Sequence, residues 1–404
     1  MYKQKKLYLS ERKTQEINSQ TTKQPNNKTT HPNTMPLHKR ISATLAALSV
    51  AIALSAQQGD PKSMSEQDSP LVSKLSIETR FGWQMTHKDN HIDHDGTGFR
   101  GKFINLRLDG KIYRNFSYSW RQRLNRLTTQ NFWDATDWLE VKYSPTPSLC
   151  ISAGKQVVAI GGYEYDHAPI NLYNCSEFWQ YIDCYQIGLS IAYNVSKHDK
   201  LLLQVCNSPM RRTEFLQPDG SIGIGRLGNN TYGISLMWYG SHGWFETIYS
   251  ANAFQLTNGR WINYLALGNK FVFCKAAFLE LDYTNRASDA SGYFNDQTIA
   301  AKLNVKPHRT TELSVKYSYD RNKDNTDDIY VLPGTSLHSV SGAVEVYPIK
   351  KYPEALRLYI AAGYSWGDAM NPSVGLADKL ATLQIGAKVD IDVLAGIRYF
   401  VRKK

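Results

Sequence analysis

GKQVVAIGGYEYDHAP, from Gly154 to Pro169, changes character halfway along. GKQVV reads as the end of a β-strand. The second half is acidic and aromatic, and no comparable strand resumes until Asp183. Loops of about twenty residues without regular structure are uncommon in compact domains and are usually functional or disordered. This one carries Tyr163, Tyr165, Tyr173, Phe178, Trp179, Tyr181 and Pro169, which suits a loop that packs.

On both sides of it the chain alternates, the mark of a half-buried strand. Ile187, Leu189, Ile191 and Tyr193 interleave with Gln186, Gly188, Ser190 and Asn194. Ile299, Ala301, Leu303 and Val305 interleave with Thr298, Ala300, Lys302 and Asn304. Sixteen such segments are expected, at 74–86, 98–111, 115–126, 136–144, 148–160, 182–194, 198–207, 229–239, 243–254, 258–268, 271–284, 293–305, 310–321, 336–347, 354–366 and 378–390. The residues after Asp390 also alternate and extend the last strand on this reading.

The connections alternate in length. Short ones fall at 112–114, 146–147, 196–197, 241–242, 269–270 and 306–309. Long ones fall near 87–97, 127–135, 161–181, 208–228, 285–292, 322–335 and 367–377. Short turns at one end and long loops at the other are what a transmembrane antiparallel β-barrel shows, and strands of about ten residues can cross a bilayer when tilted. The 25 Tyr and 9 Trp, many near strand ends, suit the aromatic girdles of such a barrel.

The formal charge of +11 is unevenly spread. Residues 1–56 hold nine Lys or Arg and two acids; the remainder has 38 basic and 34 acidic residues, a net of +4. Nucleic-acid binding thereby loses its main support. MPLHKRISATLAALSVAIALSAQQ, from Met35, reads as a secretory signal: His38, Lys39 and Arg40, then an apolar run from Ile41 to Leu54, then small residues Ser55 and Ala56. The run is too short for a membrane-spanning helix. The domains expected are a dispensable or disordered extension at 1–34, a signal peptide at 35–56, a periplasmic segment at 57–73 and the barrel at 74–404.

A signal peptide, about sixteen long strands, and GKQVVAIGGYEYDHAPINLYNCSEF after the fifth resemble the phosphate-selective porin O and P family over roughly residues 74–404. The resemblance implies a homotrimeric outer-membrane channel, surrounded by lipid, passing small hydrophilic solutes or anions without catalysis or cofactor. It also implies that the loop after strand five folds inward and narrows the pore. The dense Arg and Lys array of a phosphate-selective channel is absent.

On that basis the expected constriction sets Glu164, Asp166, Glu177 and Asp183 of the loop against Arg107, Arg121 and Arg123 on the polar face of strands two and three. Charge clusters at such points select ions. Among five cysteines, Cys184 pairs with Cys206 if the intervening turn centres near Val195; Cys175 with Cys184, or free thiols, are the alternatives. His87, Asp89, His91, Asp93, His94 and Asp95 are metal-compatible residues in the first long loop, but no spacing fixes a geometry. GIGRLG at Gly223–Gly228 matches a dinucleotide pattern, yet the next residues, NNTYGISLMWYG, alternate as a strand instead of forming a helix, which leaves a flexible loop. No metal or cofactor site is expected. Two other classes fit the alternation: a soluble secreted all-β carbohydrate-binding or hydrolytic protein, and a closed structural barrel.

Overall fold

A computed structural model describes residues 71–127, 130–210, 212–216, 222–226, 231–257, 259–288, 292–323, 335–368 and 379–402. The extension, the signal and most of the periplasmic segment lie outside them. Sixteen long antiparallel strands form the wall: β1 Lys74–Lys88, β2 Gly98–Tyr113, β3 Phe116–Arg123, β4 Thr136–Thr146, β5 Leu149–Val157, β6 Tyr185–Asn194, β7 Asp199–Asn207 and β8 Tyr232–His242, then β9 Phe245–Thr257, β10 Arg260–Cys274, β11 Ala277–Ser288, β12 Asp296–His308, β13 Thr311–Asn322, β14 Ser336–Val346, β15 Leu356–Asp368 and β16 Lys379–Asp392. Each pairs with its sequence neighbours, and β1 pairs with β16 from Ser76↔Asp392 to Lys88↔Leu380, which closes the barrel. Closure leaves no unpaired edge, and a strand wall can cross a bilayer only when its backbone is satisfied in this way.

Turn chemistry supports the sorting of connections. β8 and β9 are joined by Gly243–Trp244, with Gly243 at φ 75°, a left-handed conformation that costs glycine little. The connection from Tyr347 to Ala355 is the long exception at the short-turn end and carries a 3₁₀ turn at Pro353–Ala355.

The two faces of the wall are inverted relative to a water-soluble sheet. Leu189, Leu236 and Leu303 stand outward at 49%, 51% and 41% exposure, while Ser190 and Ser235 beside them point inward and are buried. Exposed aliphatic rows are unfavourable in water and favourable against acyl chains. This inversion separates a membrane barrel from a soluble sandwich, which periodicity alone cannot do.

Four expectations need correction. The turn expected at Asn269–Lys270 lies at Lys275–Ala276, because β10 continues to Cys274 and pairs Lys270 with Glu280. The residues after Asp390 form a strand only as far as Asp392; Val393–Arg402 is a helix, α3, whose Ala395 N–H donates to Asp392 Oδ1 at 2.8 Å. An Asp side chain before an apolar run is a helix-capping signal that competes with alternation. Within the loop expected at 208–228, Arg212–Leu216 and Ile222–Arg226 pair as a hairpin, so Gly223–Arg226 is strand; Leu227 and Gly228 lie outside the described residues. Finally, all five cysteines are free. The turn between β6 and β7 centres nearer Lys197 than Val195, which sets Gly188, not Cys184, opposite Cys206.

The outer face of β1–β3 is partly covered by the chain itself. Leu394 of α3 packs with Val72, Leu75, Leu106 and Trp120. The loop after β3 folds onto the same face, where the Gln122 amide donates to Phe132 O at 3.2 Å and Thr136 Oγ1 donates to Gln122 Oε1 at 2.6 Å.

Candidate functional site

The Gly154–Pro169 stretch turns into the barrel at its glycines. Beyond β5, Ala159 N–H donates to Gln204 Oε1 on β7 at 2.7 Å, and Asn252 of β9 donates to Ala159 O at 2.6 Å. Gly161 N–H reaches Ser250 Oγ at 2.8 Å and Gly162 N–H reaches Ile248 O at 3.1 Å, both on β9. Gly162 has φ 101°, and a Cβ on Gly268 of β10 would meet its Cα at 2.8 Å. Side chains there would hold the loop off the wall. Tyr163–Asp166 then form one helical turn, α1, whose first N–H groups, on Tyr163 and Glu164, donate to Asp282 of β11 at 2.8 and 2.7 Å.

The loop thus runs along the inner wall from β7 to β16 and β1. Glu164 pairs with Lys316 of β13 and accepts from Ser176 N and Oγ at 2.8 and 2.7 Å. Burial pushes its pKa up, but Lys316 and Ser176 pull further the other way, leaving the carboxyl below its ordinary value. His167 Nε2 lies 3.0 Å from Glu280 Oε2 of β11. Arg80 of β1 donates to Ile170 O at 2.9 Å and Leu172 O at 2.6 Å. A second short helix, α2 Glu177–Tyr181, is capped by Ser176, and Glu177 N–H donates to Asp320 of β13 at 3.1 Å. Val158, Ile160, Tyr165, Phe178 and Ile182 pack with the inward residues Cys206, Phe254, Ile262, Tyr264 and Ala266, an apolar core inside the barrel.

The loop acids therefore do not meet the three arginines as expected. Arg107 pairs with Asp109 at 2.7 Å, and Arg121 and Arg123 pair with Asp137 of the adjacent β4 at 3.3 and 2.6 Å. Glu164 and Glu177 face the opposite wall, and Asp183 accepts from Gln186 at 3.1 Å. Of the expected set, Arg121 and Asp166 line one cavity together.

That cavity, of about 740 Å³, lies between the loop and strands β3–β8. Its charged lining is Arg121, Lys142, Lys200, Glu140 and Asp166, with His167 beside them. Lys142 pairs with Glu140 at 2.9 Å. Lys200 lies 3.8 Å above the Tyr239 ring and has no ion-pair partner among the described residues. Burial raises the Asp166 pKa above the ordinary carboxylate value, opposed by His167 and Lys200. Lys200 escaped the sequence reading because LLL at Leu201–Leu203 hides the alternation; counting back from inward Gln204 recovers it. The inner apolar core also had a signal, since INYLALG at Ile262–Gly268 is apolar on both faces and so needs a cover on each.

In the first loop, whose residues were metal-compatible by type only, Asp93 pairs with Lys88 at 2.9 Å, and no metal-compatible cluster occurs among the described residues. No helix among them is long and apolar enough to cross a membrane, which says nothing of strands.

The model of the phosphate-selective porin O and P family matches residues 76–238, from β1 to within β8. No curated protein matches the sequence. An anion-selective porin from Comamonas acidovorans has the same fold, with a TM-score of 0.55 at 12% identity over 78% of this chain and 98% of that one. The outer membrane channel DcaP of Acinetobacter baumannii gives a TM-score of 0.55 at 10% identity over 81% and 99%. Inverted faces, sorted connections, a loop docked inside a closed sixteen-stranded wall and the family match together make this chain a porin of the bacterial outer membrane.

Proposed function

We propose that the channel passes small hydrophilic solutes by diffusion through the space between the inward loop and strands β3–β8, with a weak preference for anions. The observation that carries this is the lining of the 740 Å³ cavity, where Arg121 is tied to Asp137 and Lys142 to Glu140, and Lys200 is a cation with no ion pair among the described residues. Exposed charges in water act over about 10 Å at 0.1 M salt, so only those lining the narrow part bias passage. Lys142 and Lys200 would attract anions; Glu140 and Asp166 would oppose them. Arg107, tied to Asp109, and Arg121 and Arg123, both tied to Asp137, would contribute less, while Glu164, Glu177 and Asp183 would serve to hold the loop. No residue is assigned a catalytic or cofactor-binding role.

The Met35 signal would deliver the chain across the inner membrane. We further propose a homotrimer, as the family resemblance implies. Recordings from purified protein in planar bilayers test the function. A conducting pore with a zero-current potential slightly on the anion side in a salt gradient is expected. Protein that inserts without conducting would support the closed structural barrel.

A further inference from the structure

Resting on that channel reading, we infer that the lumen holds a second lane, closed in this structure by Tyr173. Two smaller cavities lie along the β12–β16 wall. One, of about 320 Å³, opens toward the long-loop end and is lined by Arg80, Lys102, Ser339 and Thr382. The other, of about 230 Å³, lies toward the short turns and is lined by Lys302, Lys316, Ser341 and Arg357. Leu172, Tyr173 and Asn174 line both. On β14, Ser339 belongs to the upper cavity and Ser341, the next inward residue, to the lower. The wall therefore runs continuously past both cavities, and the partition is the loop tip.

Tyr173 is the middle of that partition and is held by side-chain contacts. Its hydroxyl donates to Glu345 Oε1 at 2.8 Å, its ring lies 4.8 Å from that of Tyr359, and the Lys388 ammonium sits 4.4 Å above it. Glu345 is the hub of the clasp, also pairing with Lys388 at 2.6 Å and Arg357 at 3.5 Å. The backbone on either side is held separately, Leu172 O by Arg80 at 2.6 Å and Asn174 O by Lys316 at 3.0 Å, so the Tyr173 side chain can swing out of its clasp while the loop stays docked. A lane opened this way would pass charges of both signs, Arg80 and Lys102 with Glu177 and Asp320 above, then Lys316 and Arg357 with Glu312 and Glu345 below, a lining suited to small hydrophilic solutes.

The test is single-channel recording of Tyr173→Ala in a Cys175→Ser, Cys184→Ser background, which removes the thiol lining the upper cavity and the second thiol lining the larger one. Native Cys150 lines the larger cavity and serves as a handle on the first lane. Conductance should rise in a resolved step, roughly 1.5-fold, as a parallel path opens. A bulky thiol-reactive cation at Cys150 should then suppress the wild-type current but spare the added portion, and a Cys150→Ser control should not respond. An unchanged conductance overturns the proposal, as does a gain that Cys150 modification abolishes, since that gain belongs to the first lane. If Tyr173→Ala does not assemble, Tyr173→Phe and Glu345→Gln should show brief openings of the same step, and steady wild-type current in both overturns it. A wild type that never conducts would count against the channel itself and is distinguishable from all of these.

Discussion

From β11 round to β16 and β1, inward charges are occupied by the loop: Asp282 by two backbone N–H groups, Glu280 by His167, Lys316 by Glu164, Arg80 by two carbonyls. From β3 to β8, Arg121 is held by buried Asp137, but Lys142 and Lys200 line open space. The two sides of the lumen use the same residue types. What separates their roles is burial. Glu164 and Lys316 side chains are each 10% exposed, and removing one member of a buried pair costs about 3–5 kcal/mol because the other charge is left unpaired. Lys142 is 38% exposed, and surface pairs contribute about 0–1 kcal/mol. One wall therefore holds a structure in place, and the other is free to bias ions.

The largest effect should come from Glu164→Gln, which keeps the shape but strands Lys316. We expect the heat-induced gel shift of the folded barrel to occur at lower temperature and the current to become noisy. Lys142→Gln should leave the gel shift unchanged within error and move only selectivity. Equal behaviour of the two variants would erase the distinction between the walls.

Next in size is the contrast across the wall. Leu236→Arg should destabilise the barrel by roughly 2–4 kcal/mol if the site is near the bilayer midplane, measured by unfolding in lipid. Ser235→Asn, pointing into the lumen, should assemble normally. Similar tolerance at both positions would contradict the face assignment.

A smaller effect is acid release of the loop. Glu164 is depressed in the folded protein, so its contribution is complete above the ordinary carboxylate pKa of about 4.3 and is lost as pH falls through its lower folded value. Channel noise should therefore increase below about pH 4 and not between pH 5 and 7. The Glu164→Gln variant, noisy at neutral pH, should lack this acid onset.

Much of the barrel was legible because lipid and lumen impose a strict two-residue period on each strand, and all sixteen segments overlap observed strands. The position of the inward loop was legible from the length of the interruption after β5. Pairings were less so. Arg121 and Arg123 looked available because strict alternation puts Asp137 on the outward face with Leu139; a bulge between Thr136 and Trp138 turns it inward beside them. Cys206 depended on a turn centre, where an error of two residues moves a cross-strand partner by four. Local period can be read from a single strand; which charge meets which depends on register across several.

The most direct test of the open wall is the zero-current potential of Lys200→Glu in a salt gradient, compared with wild type in the same bilayers. Lys200 makes no ion pair among the described residues and lines the larger cavity. Reversing its charge should move the potential from the anion side to the cation side while leaving conductance within about 2-fold. An unchanged potential at normal conductance would contradict the account, because ions would then be passing somewhere other than between the loop and β3–β8.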